Sequence, residues 1–164
     1  MTEFNKYRFK KLAGLLCEDR ETIHGPYVIH VKTEPGDRFR AEAYCDNKLV
    51  GEVNAEVYGG ELSVTWSEVD EANQKKGLGA AMYDALETYA GMPLKPGSIV
   101  ASPGALRLWK KRLGKTDQWM IDQYLDGLYF DGLDYVKDEL GLGNETEPTD
   151  EQILSLARRD LGLV

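Results

Sequence analysis

Residues 74–80 (QKKGLGA) place two lysines ahead of a glycine pair, where an apolar alternating segment gives way to a helical pattern. Glycines let a ligand approach the backbone closely, and the free N–H groups of a helix N-terminus attract anions. Lys75 and Lys76 add positive charge to a chain whose formal net charge is -8. The segment therefore predicts a loop that binds a pyrophosphate.

Two other phosphate-binding patterns do not fit this segment. The spacing GxxxxGK followed by Ser or Thr is absent. The dinucleotide pattern GxGxxG fails because Met82 stands where the third glycine is required. A GxG pair on its own is also compatible with plain packing glycines.

The segment resembles the signature of the GCN5-related N-acetyltransferase (GNAT) superfamily, Gln/Arg-x-x-Gly-x-Gly/Ala, through Gln74, Gly77 and Gly79. A second block, residues 102–114 (SPGALRLWKKRLG), is similar to the family's Asn-x-x-Ala-x-x-x-Tyr-x-x-x-x-Gly segment. The order of the two blocks and the gap between them also fit. The resemblance covers roughly residues 27–114.

The resemblance implies that the protein binds acetyl-CoA as a co-substrate and transfers the acetyl group directly to an amine. Backbone groups near Val69 would pair with pantetheine, and residues 74–80 would hold the pyrophosphate. Ser102 stands where the family has an asparagine near the pantetheine arm. Trp109 stands where the family often has the tyrosine that protonates the departing thiolate. The expected cofactor-binding residues are Val69, Gln74, Lys75, Lys76, Gly77, Leu78, Gly79, Ala80, Ser102 and Trp109.

The family's general base is often a glutamate on the fourth or fifth strand. Glu61 and Glu68 are the candidates on the predicted strand 61–69. Two-residue alternation would divide this strand into two faces. One face is expected to carry Val64, Trp66 and Glu68, and the other Ser63, Thr65 and Ser67. We expect Glu68 to be the catalytic carboxylate, with an ordinary solvent-facing glutamate as the alternative.

The general acid needs a different residue, because the indole of Trp109 has no usefully ionisable proton. Tyr124, Tyr129 and Tyr135 lie in an acidic and aromatic C-terminal segment. We take Tyr124 as the catalytic candidate. A packing role is the alternative for each of the three tyrosines.

Alternating hydrophobicity predicts four strands, at residues 27–32, 38–45, 49–57 and 61–69. Short turns at residues 34–37, 46–47 and 59–60 predict that these strands form an antiparallel meander. Helical patterns at residues 77–90 and 103–113 enclose a short predicted strand at 98–101. The expected fold is therefore α/β of the α+β kind, a GNAT-like, mixed and mostly antiparallel sheet flanked by helices.

The last third of the chain predicts helices at residues 116–126, 133–140 and 150–160, the last opened by a capping box at Thr149. The two further strands that usually end the family's fold are hard to find here. We expect one domain over residues 1–164, with a core at 27–114 and a helical extension at 115–164 packed on it. A short basic helix is expected at residues 4–16.

The chain has 164 residues, of which 42% are hydrophobic, as expected for a globular domain. Its negative charge argues against nucleic acid and anionic membranes as partners. No apolar run is long enough to span a membrane, and no apolar signal-peptide region follows the basic N-terminus. Cys17 and Cys45 lie far apart, with no histidine in a ligand pattern. We expect a cytoplasmic protein with free thiols and no metal.

The leading hypothesis is an N-acetyltransferase whose acceptor is a protein lysine, an N-terminus or a small cationic molecule. The alternative is a catalytically weak GNAT-like domain that binds acetyl-CoA or a partner protein without turnover. The change to Trp109 and the altered C-terminal part favour this alternative. The sequence leaves a homodimer open.

Overall fold

The computed structural model describes residues 19–97, 102–143 and 145–163. The chain divides into two compact units, of which one ends at Gly97 and the other begins at Ser98. The helix predicted at residues 4–16 and the strand predicted at 98–101 lie outside the described residues. The single domain with a core at residues 27–114 remains a prediction.

The first unit is built on one six-stranded sheet whose strands follow one another in chain order. The strands are β1 (Arg20–His24), β2 (Tyr27–Glu34), β3 (Arg38–Cys45), β4 (Lys48–Tyr58), β5 (Glu61–Val69) and β6 (Leu94–Lys95). Strands β1 to β5 pair antiparallel, and β6 pairs parallel with β5. The prediction of a mixed α/β fold with a mostly antiparallel sheet is confirmed.

The tight turns of the meander have the backbone that their residues favour. Asp46 and Asn47 have φ angles of 50° and 63°, and Gly59 and Gly60 have φ angles of 58° and 85°. Two-residue turns with positive φ match the right-handed twist of the strands that they join. The predicted turns are confirmed, and β3 and β5 begin and end at the predicted residues.

Strand β1 was not among the predicted elements. Ile23 is its only strongly apolar residue, and its side chain is 76% exposed, so no alternation of hydrophobicity marks this strand. Its pairing with β2, from Arg20 opposite Val31 to His24 opposite Tyr27, makes it a strand. The meander therefore has five strands rather than four.

One face of the sheet is apolar and packs against helix α1 (Leu78–Ala90). The sheet contributes buried side chains such as Ile29, Phe39 and Val53, and the helix contributes Met82 and Leu86. The Phe39 and Tyr89 rings meet edge to face, with centroids 6.1 Å apart. Burial of these side chains fixes the helix against the sheet, so it also fixes where the helix begins.

The second unit consists of helices α2 (Pro103–Leu113), α3 (Asp117–Asp131), α4 (Leu133–Leu140) and α5 (Asp150–Asp160). Its core draws one or more apolar side chains from each helix, among them Leu106, Met120, Val136 and Leu156. The bounds predicted for α2 and α4 are confirmed, as is the capping box of α5.

Helix α3 continues five residues past its predicted end at residue 126. Leu128 packs in the same core as Ile121 and Tyr124. This burial outweighs the low helix propensity of Gly127. Within the described ranges, no helix combines the length and the apolar character that a membrane span requires.

Candidate functional site

Strand β5 carries a β-bulge at Thr65, four residues before the strand ends. Trp66 lies opposite Asn54 and Val64 lies opposite Ala55, so Thr65 is an extra residue on β5. A bulge bends the strand and changes the face on which the following side chains lie. The side chains of the last residues of β5 therefore change face just before the predicted binding loop.

The predicted faces of β5 are consequently wrong. Ser67 lies opposite the buried Val53, and its Oγ accepts a hydrogen bond of 3.2 Å from the Tyr83 hydroxyl on α1. Ser67 thus shares the α1 face with Val64, whereas Trp66 and Glu68 lie on the outer face. Strict two-residue alternation grouped Val64 with Glu68, because it could not anticipate the extra residue.

The two edges of β5 are unequally paired beyond the bulge. Strand β6 pairs with β5 only at Leu62 and Ser63. From Thr65 to Val69, no strand of the described part of the chain pairs with the edge of β5 that lies on the side away from β4. A strand edge with unpaired N–H and C=O groups can hydrogen-bond an extended ligand. This stretch includes Val69, where the family resemblance implies contacts to pantetheine and whose carbonyl oxygen accepts a hydrogen bond from Gln74 Nε2.

The loop after β5 is tied to the sheet at several points. The Asp70 N–H donates to the carbonyl oxygen of Val50 at 2.9 Å. A short 3-10 helix at Glu71–Asn73 follows, and Asn73 Oδ1 accepts a hydrogen bond of 3.1 Å from the Tyr27 hydroxyl. Gln74 Nε2 donates to the carbonyl oxygen of Val69 at 2.9 Å. These bonds tie the loop to β4, to β2 and to the end of β5.

The loop leads into the N-terminus of α1, whose N-cap residue is a glycine and so has no side chain to cap the helix. Gly77 is the N-cap residue, with a φ angle of 80°, and its carbonyl oxygen accepts from the Ala81 N–H at 3.0 Å. The N–H groups of Leu78, Gly79 and Ala80 occupy the first turn, where no carbonyl of the helix can accept them. With the exposed Lys75 and Lys76 beside it, this end of the helix has the chemistry of an anion site.

His24 lies beside the same loop, although the sequence did not indicate it. A Cβ atom placed on Gly77 would lie 3.5 Å from His24 Nε2. The imidazole stacks on the Tyr27 ring, with centroids 6.4 Å apart and planes 14° apart. Only the pairing of β1 with β2 brings His24 to this end of the sheet, and the residues around it in sequence carry no signal for that.

Glu68 belongs to a row of glutamates that crosses the outer face of the sheet. Glu42 lies opposite Glu52, and Glu52 lies opposite Glu68. Carboxylates directly opposite one another destabilise a sheet unless cations compensate them. Lys32 lies 3.1 Å from Glu42, and Arg40 lies 3.9 Å from Glu52.

Glu68 differs from the other two members of the row. Its side chain is exposed, and no described residue forms a hydrogen bond or an ion pair with it. The Trp66 side chain, on the same face, is 55% exposed. Glu68 is therefore accessible as a proton acceptor at the loop end of β5.

Two predicted cofactor-binding residues lie on α2, in the helical unit. Ser102 is the N-cap residue, and its Oγ accepts a hydrogen bond of 3.3 Å from the Ala105 N–H. The side chain of Trp109 is only 2% exposed, and the Arg112 guanidinium lies 5.9 Å from its ring centroid. Both side chains have structural roles within this helix.

The catalytic candidate Tyr124 lies on α3, in the core of the helical unit. Its ring is 7% exposed, and its hydroxyl donates to Asp160 Oδ2 at 3.0 Å. Burial and this hydrogen bond raise the pKa of Tyr124 well above its ordinary value. A phenol with a raised pKa is a weaker proton donor to a departing thiolate.

The described residues contain no group of three His, Cys, Asp or Glu side chains that could hold a metal ion. Comparison with known protein families finds no family that the sequence matches, and no curated protein matches it.

Proposed function

We propose that this protein is an acetyl-CoA-dependent N-acetyltransferase of the GNAT type. The acceptor is a primary amine of a protein, at a lysine or the N-terminus, or of a small cationic molecule. The observation that carries the proposal is the bulged end of β5, which no described strand pairs on its second edge, running through a loop with two lysines into an α1 N-terminus whose N-cap residue is Gly77.

The binding roles follow from the backbone groups of this region. The N–H groups of Leu78, Gly79 and Ala80 and the charges of Lys75 and Lys76 hold the pyrophosphate. The β5 edge at Val69 hydrogen-bonds the amides of pantetheine in the manner of an added strand. Gln74 braces the turn through its bond to the carbonyl oxygen of Val69. Bound acetyl-CoA supplies an activated acyl group as a thioester.

Glu68 acts as the general base in this proposal. An ammonium group must lose a proton before its nitrogen can attack a carbonyl, and an accessible carboxylate can take that proton directly or through one water. No acid is assigned to the departing thiolate, because the Trp109 indole cannot ionise and the Tyr124 hydroxyl is donated to Asp160. Cys45 has no part in the transfer.

The first test concerns the anion site. Gly79→Glu places a carboxylate in the first turn of α1, where like charges about 4 Å apart repel by several kcal/mol. We expect the Kd for CoA, measured by titration calorimetry, to rise by roughly a hundredfold or more. Gly143→Glu is the matched control, since a side chain there meets nothing within 4 Å. Equal Kd values in the two variants would refute the site.

The second test concerns the transfer itself. Free thiol released from acetyl-CoA is measured across a panel of lysine peptides, N-terminal peptides and diamines. Glu68→Gln should lower kcat by about 10²–10⁴-fold while leaving the Kd for CoA unchanged. Glu56→Gln, on the neighbouring strand β4, should leave kcat unchanged.

The second candidate function is a domain that binds acetyl-CoA without turnover. It is favoured by the burial of Trp109 and by the commitment of the Tyr124 hydroxyl to Asp160. The same panel separates the two functions. Tight CoA binding with no thiol release for any amine would establish the binding domain and exclude the transferase.

A further inference from the structure

We propose that His24 is a further phosphate-binding group of the 74–80 loop, and that its protonation strengthens the binding of CoA at acidic pH. The inference rests on the proposed function, because it adds a residue and a pH response to the same site. It uses a side chain from β1, a strand that hydrophobic alternation does not reveal.

The Nε2 side of the His24 imidazole faces Gly77, the N-cap residue of α1. His24 Nε2 and Cε1 lie 3.5 and 3.9 Å from the position of a Cβ atom on Gly77. Gly77 has no side chain to fill this space, and its φ angle of 80° disfavours any other residue. A group bound at the first turn of α1 therefore comes within reach of Nε2.

The position of the imidazole is set by its neighbours. Its ring stacks on Tyr27, which is buried, and the Tyr27 hydroxyl donates to Asn73 Oδ1 in the loop. Among the described residues, none forms a hydrogen bond with the imidazole of His24. His24 is thus a half-buried, oriented side chain whose ring nitrogens are not hydrogen-bonded by any residue that the structure describes.

The elements that pack beside His24 carry charged groups of both signs. The face of β2 that packs beside it carries Tyr27 and apolar residues, and the first charged residue of α1 is Asp84. The charged groups of β1 and the loop are Arg20, Glu21, Asp70, Glu71, Lys75 and Lys76. Lys48 further offsets Asp70, at a distance of 3.7 Å.

The expected direction follows from linkage between proton and ligand binding. An anion within about 4–6 Å of an imidazolium raises the imidazole's pKa by one or more units, and each unit corresponds to a tenfold gain in affinity. The gain is present below the pKa of the free protein and is lost as pH rises through the pKa of the complex.

The experiment compares two single variants across pH. The Kd for CoA is measured by calorimetry at pH 5.5 and pH 8.0 for the wild type, His24→Gln and His30→Gln. His30 is the matched control, because it is the only other histidine and lies on the outer face of the sheet, against Tyr44. Each variant's Kd is divided by the wild-type Kd at the same pH, which cancels the titration of CoA's own phosphates.

For His24→Gln we expect a ratio of about ten at pH 5.5 that falls towards one at pH 8.0. For His30→Gln we expect a ratio near one at both pH values. His24→Phe, which keeps a ring on Tyr27 without a charge, should behave as His24→Gln does. Thermal unfolding of each variant confirms that it is folded.

A His24→Gln ratio that does not change with pH would overturn this inference and leave the proposed function standing. A ratio that falls equally for His30→Gln would overturn it as well. If the wild type binds no CoA at either pH, the proposed function fails, and the inference fails with it.

Discussion

Asp160 receives two tyrosine hydroxyls in the helical unit. Its Oδ2 accepts from Tyr124 at 3.0 Å and from Tyr135 at 2.8 Å, while Arg159 donates to its Oδ1. Burial and the bond to Asp160 raise the pKa of both tyrosines. Because the Tyr124 hydroxyl is bonded to Asp160, it joins α3 to α5 and is not free to face solvent.

The bond between Tyr124 and Asp160 predicts a pH-dependent contribution to stability. A tyrosine whose pKa is raised on folding stabilises the protein fully below about pH 10, its ordinary pKa. This stabilisation is lost as pH rises through the raised value. Tyr124→Phe should lower the free energy of unfolding by about 1 kcal/mol at pH 8, and the difference from the wild type should shrink above pH 10.

Urea unfolding, followed by the helical circular dichroism signal at pH 8 and pH 11, measures this effect. Tyr58→Phe is the control, because Tyr58 is 84% exposed. A difference between the wild type and Tyr124→Phe that stays constant with pH would contradict the proposed origin of the stabilisation.

At the scale of elements, the junction of α3 and α4 depends on one residue. Gly132 ends α3 by donating its N–H to the carbonyl oxygen of Leu128 at 3.1 Å, and its own carbonyl oxygen accepts from the Val136 N–H at 2.9 Å. A Cβ atom on Gly132 would lie 2.9 Å from the Leu128 Cα. Because the Leu128 Cα atom belongs to the backbone, this contact can be relieved only if the backbone of α3 or of the α3–α4 junction shifts.

Gly132→Ala should therefore destabilise the protein by about 1–3 kcal/mol, as overpacking of a tight contact does. Gly143→Ala is the control in the same unit, since it meets nothing within 4 Å and should change stability by less than about 0.5 kcal/mol. Chemical denaturation of both variants measures the difference. Equal free energies of unfolding for the two variants would show that the α3–α4 junction accommodates the added Cβ atom without a cost in stability.

At the scale of the whole molecule, the described chain forms two compact units of different construction. One is held by strand pairing and by burial of one sheet face against α1, and the other by a core shared among four helices. Contacts concentrated within a unit favour its opening as a cooperative group.

Leu156→Ala tests this organisation. Leu156 is buried in the helical core, and truncation of such a residue costs about 2–5 kcal/mol. We expect amide hydrogen exchange to become faster throughout α2–α5, while the amides of β2, β3 and β4 keep their protection. An equal loss of protection in both units would show that the chain unfolds as one cooperative unit.

Local chemistry in the sequence determined much of this protein. The turn-forming dipeptides Asp46-Asn47 and Gly59-Gly60, which favour positive φ angles, located two of the turns. Alternating hydrophobicity located the strands between the turns. The glycines and lysines of the 74–80 loop located a candidate anion site at the start of α1. These features were predictable because each depends on residues within a few positions of one another.

Tertiary structure alone decided three other features. The bulge at Thr65 turned Glu68 to the outer face, β1 became a strand only by pairing with β2, and His24 thereby came to lie beside Gly77. Burial likewise directed the Tyr124 hydroxyl to Asp160. Each outcome depends on contacts between residues far apart in sequence, whose energies no local pattern records.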